Sequence, residues 1–77
     1  MERTYTMIIE PAEDENGRYY GVYFPDLPGC GTTGRTLEEL NKNAREAIEV
    51  HIAALISTGQ PVPPPSISID KITVKVA

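Results

Sequence analysis

Phe24-Pro25-Asp26-Leu27-Pro28-Gly29-Cys30-Gly31-Thr32-Thr33-Gly34-Arg35-Thr36-Leu37-Glu38-Glu39 is the stretch on which the fold turns. Its prolines and Gly29 interrupt regular structure before Cys30 to Thr33, a short segment that can resume pairing as a strand until Gly34 ends it. Thr36-Leu37-Glu38-Glu39 then has the form of a capping box. The Thr36 hydroxyl can accept the amide of Glu39, and the Glu39 carboxylate can reach back to the amide of Thr36. Strand-forming sequence therefore lies upstream of this stretch, and a helix starts at its end.

Upstream, Thr4 to Glu10 is rich in β-branched and aromatic residues and alternates, placing Tyr5, Met7 and Ile9 on one face of a first strand. Asn16-Gly17 is a two-residue hairpin signal because both residue types tolerate positive φ. A second strand is expected from about Tyr19. With Asn16-Gly17 at the turn centre, Glu15 faces Arg18, Pro11 faces Val22 and Ile9 faces Phe24. Tyr20, Val22 and Phe24 then share a face with Met7 and Ile9. Pro11 has no amide to donate, so that end of the ladder reads as an edge or a bulge.

Downstream, Leu37, Leu40, Ala44, Ala47, Ile48, His51, Ile52, Leu55 and Ile56 recur at helical spacing, with charged residues filling the other side. Exposed pairs of Glu38 with Lys42 and Arg45 with Glu49 are expected to add little, and Gly59 supplies a left-handed stop. Gln60 to Pro65 carries four prolines and reads as a stiff extended connector. The last segment alternates again, with its phase slipping at Asp70-Lys71, so a final strand is expected over Ile72 to Val76. Lying parallel to an earlier strand, it completes an α+β fold of order β-β-β-α-β, a four-stranded sheet with one helix packed on one face. The uncovered face, with Thr6, Ile8, Tyr19 and Tyr23, then needs water or a partner, and two tyrosines favour a partner.

The chain has 77 residues, 40% of them hydrophobic, which fits one globular domain spanning 1–77. So short a domain buries a modest share of its surface, so a homodimer or homotetramer is expected. The one cysteine, Cys30, cannot form an intrachain bridge. The first residues lack a stretch apolar enough for a signal peptide or a membrane span, making the cytoplasm the expected compartment. Eleven acidic residues against seven basic ones give a net charge of −4. That sign disfavours direct nucleic-acid binding by this chain alone and suits a basic protein partner.

The Phe24 to Cys30 motif, followed by Gly34-Arg35-Thr36-Leu37-Glu38-Glu39 and then Asn43-Ala44-Arg45-Glu46-Ala47-Ile48, strongly resembles the HicB antitoxin family. The proline-rich turn after Gly59 extends the resemblance over nearly the whole chain. It implies a partial ribonuclease-H-like β-β-β-α-β fold without nuclease activity, and a HicA-like toxin partner, a small basic enzyme that cleaves mRNA. Many such proteins carry a further DNA-binding segment, and this sequence reaches Ala77 without one, so operator binding is not expected of it. Asp26 is the candidate carboxylate to meet the toxin's cations, with Leu27 beside it for an apolar pocket and Tyr19 and Tyr23 on the open sheet face.

Other chemistries fare worse. Cys30 would need an adjacent base to act as a nucleophile, and His51 sits on the helix between Ala47 and Leu55, as a histidine at the edge of a core does. A metal nuclease would need several convergent carboxylates, whereas Glu10 and Asp70 stand at strand ends and Glu38, Glu39, Glu46 and Glu49 belong to the solvated helix face. No catalytic residue, metal or cofactor is therefore expected. A homo-oligomeric domain without a toxin, using Tyr19 and Tyr23 for contacts between copies, is the alternative.

Overall fold

A computed structural model describes residues 2–77. The chain forms β1 (Ile8–Asp14), β2 (Gly17–Tyr23), β3 (Gly31–Gly34) and α1 (Leu37–Ser57). The strands make an antiparallel sheet in the order β1-β2-β3. The helix lies chiefly over β3, touches β2 less and leaves β1 uncovered. The core is Val22, Phe24, Leu27, Cys30, Leu40 and Ala44, with Tyr5, Met7, Tyr20 and Ile48 packed at its margin.

The β1–β2 register pairs Ile9 with Val22, Pro11 with Tyr20 and Asp14 with Gly17, two residues from the expected one. A shift of two preserves which residues share a face, so Val22 and Phe24 still enter the core. The turn is Glu15-Asn16, not Asn16-Gly17. A turn centred on Asn16-Gly17 would need positive φ at both residues, whereas among the described residues only glycines have it, Gly17 at 109°. Asp14 Oδ1 accepts the Asn16 amide at 2.9 Å, which holds the earlier turn. The first strand also begins later than expected, at Ile8. Tyr5 and Met7 nonetheless pack against the core.

The motif between β2 and β3 resolves into two consecutive turns. The Leu27 amide donates to the Phe24 carbonyl at 2.9 Å, and the Cys30 amide donates to the Leu27 carbonyl at 3.0 Å. Each proline occupies the second position of its turn, where φ near −65° is required, and Gly29 follows Pro28 with φ of 84°, as a type II turn demands. The residue shared by both turns, Leu27, is thereby pushed inward and is wholly buried.

The α1 boundaries follow from their caps. Thr36 Oγ1 accepts the Glu39 amide at 3.1 Å, while Glu39 Oε1 accepts the Arg35 amide at 3.2 Å, one residue earlier than a closed capping box. At the far end the Gln60 amide donates to Leu55 and the Gly59 amide to Ile56, with Gly59 at φ 71°, a complete Schellman motif. Among the described residues the ion pair that forms joins Arg35 to Asp14; Glu38–Lys42 and Arg45–Glu49 do not close.

Ile72–Val76, expected to be a fourth strand, is not one. From Gln60 onward the chain takes no helix or strand. It is tied to the body as far as Ile67: the Arg3 side chain donates to the Val62 carbonyl, the Tyr5 hydroxyl to the Pro63 carbonyl and the Thr6 hydroxyl to the Ile67 carbonyl. It runs parallel to residues 3–6 in doing so. Continued from the Thr6–Ile67 contact, Ile72 would reach Pro11 and the residues after it the tip of the β1–β2 hairpin. Pro11, which has no amide to donate, and the lack of an overlying helix make that part of the β1 edge a poor template for an apolar strand. The segment instead leaves the body, with Ile72, Val74 and Val76 exposed by 87%, 68% and 86%. The radius of gyration is 15.0 Å, where a chain of this length folded on itself gives roughly 11–12 Å.

Candidate functional site

The sheet face opposite α1 follows from the register. Ile8 lies opposite Tyr23, Glu10 opposite Gly21 and Ala12 opposite Tyr19, so these residues share a face, extended by Thr33 beside Gly21 and Gly31 beside Tyr23. Gly21 leaves the middle of this face flat, because a Cβ there would meet nothing closer than the Glu10 carbonyl at 4.0 Å. The face thus has two aromatic rings about 13 Å apart along one strand. The exposed Glu10 carboxylate stands on the neighbouring strand between them.

The two tyrosines differ in surroundings. Tyr23 is largely exposed, whereas Tyr19 is half-covered by the Arg35 guanidinium, 5.3 Å above its ring centroid. Arg35 is held there by two parallel hydrogen bonds to Asp14, at 3.0 and 2.7 Å, and by the carbonyls of Gly17 and Arg18. The side-chain hydrogen bond from Arg35 holds the Asp14 carboxyl below its ordinary range, and the same bond raises the Arg35 pKa. This clamp joins the β1–β2 hairpin to the start of α1. Nothing in the sequence separates Arg35 from other surface arginines, because its partner is distant along the chain. Glu10, by contrast, was readable from strand parity alone.

Asp26 and Leu27 lie elsewhere. Leu27 is a core residue, and Asp26 is buried with its carboxylate turned inward. Asp26 Oδ1 accepts the Ser66 hydroxyl at 2.9 Å and the Ser66 amide at 3.2 Å, and both carboxylate oxygens accept the Ile67 amide at 3.3 Å. The structure therefore brings Tyr19 and Tyr23 together and sets Asp26 and Leu27 apart from them. Asp26 anchors the connector, a role that only the tertiary structure reveals.

Cys30 is buried, its Sγ 3.8 Å from the Ala47 carbonyl, and desolvation pushes its thiol pKa up, away from the reactive thiolate. Among the described residues no three histidine, cysteine or acidic side chains converge as metal ligands, and no helix is long and apolar enough to cross a membrane.

An antiparallel three-stranded sheet packed on one helix, with an open face carrying Tyr19, Tyr23 and Glu10, defines a small α+β domain. Residues 5–76 match the family model for the HicB-like antitoxin of bacterial toxin–antitoxin systems, and the chain belongs to that family. It is similar to UPF0150 protein ssr1765 of Synechocystis, with 36% identity over 94% of this chain and 87% of that one. A UPF0150 protein of Thermoplasma acidophilum is 44% identical over 77% of this chain and 81% of its own. An uncharacterized 14.9 kDa protein of Haemophilus phage HP1 is 39% identical over 77% of this chain, which covers 41% of the phage protein. No solved structure gives a significant match.

Proposed function

We propose that this chain is an antitoxin that binds and neutralises a small basic mRNA-cleaving toxin of the HicA type, acting in the cytoplasm without catalysis or a cofactor of its own. The family match over residues 5–76 carries this reading. The net charge of −4 supports it: carboxylates can pair with the cations by which a ribonuclease holds phosphate, and long-range attraction speeds the encounter.

Tyr23, Tyr19 and the Glu10 carboxylate between them are the proposed contact surface, combining aromatic area with a charge-assisted hydrogen-bond acceptor. Asp26 and Leu27 contribute indirectly in this conformation, Leu27 by filling the core under the turn and Asp26 by anchoring Ser66 and Ile67. A direct contact from Asp26 would require those residues to be released. The partial ribonuclease-H-like plan that the resemblance implies needs a fourth strand, which Ile72–Val76 does not form in this structure.

Co-purification of the tagged chain, expressed with its neighbouring genes, tests this. Recovery of a stoichiometric small basic protein is expected, and its loss from Tyr23→Asp with the helical circular dichroism unchanged. Recovery of the chain alone, or full retention of the partner by Tyr23→Asp, would contradict the proposal or its surface respectively.

A further inference from the structure

The molecule holds a strand without an edge and an edge without a strand. Ile72, Val74 and Val76 alternate on one side of an extended arm, and the body offers them no cover. At the opposite side of the sheet, β3 is an edge strand. The Phe24 amide donates to the Cys30 carbonyl, which fixes the alternation along β3: Cys30, Thr32 and Gly34 turn their amides and carbonyls toward β2. Gly31 and Thr33 turn theirs outward. The Thr33 carbonyl is accordingly free to accept the Asn43 side chain at 2.9 Å, which closes that end of the edge.

Beside this edge runs a groove between β3 and α1. Its helix wall is Ala47, Val50 and Ala54 interleaved with the polar Asn43, Glu46 and His51, and Val50 is 69% exposed. Small residues let a strand approach the helix closely, and the wall lies on the helix side of the sheet, where alternate side chains of an added strand would point. Charge favours the same match. Lys71 and Lys75 give Lys71 to Ala77 a charge of +2, so with the chain at −4 overall the remainder carries −6.

We propose that Ile72–Val76 is an exchange arm that adds as a fourth strand to the β3 edge of a second copy of this chain, seating Ile72, Val74 and Val76 against Ala47, Val50 and Ala54. The arm leaves its own body on the β1 side, tethered at Ile67 by Asp26 and Thr6, so the β3 edge it fits most naturally belongs to a neighbour. The exchange is reciprocal, which gives a closed two-fold dimer. It is independent of which toxin the chain binds.

Sedimentation velocity on the full chain, alone and at micromolar concentration, tests the arm and the groove separately. The unmodified protein sediments as a dimer, and Val74→Glu and Val50→Glu each halve the measured mass while keeping the helical circular dichroism, since both positions are exposed in one copy. An unmodified protein that is monomeric overturns the proposal, as does a dimer that survives Val74→Glu. Monomerisation by Val74→Glu but not by Val50→Glu places the arm elsewhere and overturns it too. Toxin binding by a Val74→Glu monomer would show the two surfaces to be separate, as proposed.

Discussion

Asp26 spends its carboxylate on the amides of Ser66 and Ile67 and on the Ser66 hydroxyl, joining the turn before β3 to the far end of the connector. Hydrogen bonds to a charged acceptor contribute about 1.5–3 kcal/mol, so Asp26→Ala is expected to destabilise the fold by about that much in urea denaturation. An unchanged midpoint would remove the anchoring role. Asp14 acts at the surface. Its folded carboxyl titrates below the ordinary range because Arg35 is bonded to it, so its contribution is present above the unfolded value and is lost as pH falls through the folded one. The stability difference between the unmodified chain and Asp14→Asn is therefore expected at neutral pH, to shrink toward acid and to shrink with salt, as thermal melts across pH would show. Both side chains are about 41% exposed, so the effect is small.

Among the elements, the junction of β3 and α1 is the tightest. A Cβ on Gly34 would stand 2.6 Å from the Leu40 amide nitrogen and 2.7 Å from its Cα, backbone that cannot move aside without shifting the helix. Gly34→Ala is expected to cost at least about 1–3 kcal/mol, the range for overpacking, read as a lowered melting temperature. A neutral substitution would mean the helix shifts freely on the sheet. The helix itself was legible because its signals are local: Thr36, the apolar spacing and Gly59 each act within a turn or two of the chain. The hairpin was legible in face but not in register, since parity is set by alternation while the turn depended on the Asp14 side chain and on which residue took positive φ. The fourth strand was misread for a different reason. Ile72, Val74 and Val76 have a strand's pattern, but pattern cannot say whether an edge is available. Pro11, which has no amide to donate, and the lack of an overlying helix spoil the nearest one.

For the whole molecule, the legible part of the site was Tyr19 and Tyr23, which alternation alone puts on the uncovered face. The Arg35 clamp and the inward turn of Asp26 depend on contacts between residues far apart in sequence, so no spacing could announce them. The family match places the chain among the HicB-like antitoxins, and its net charge of −4 and open aromatic face support the proposed basic partner. The most direct measurement is RNA cleavage by the proposed partner, the small basic protein recovered by co-purification, titrated with the purified chain. The account predicts a linear fall in cleavage that ends at a fixed stoichiometry, with the rate of inhibition slowing as salt is added. Cleavage that persists unchanged in the presence of excess chain would contradict it.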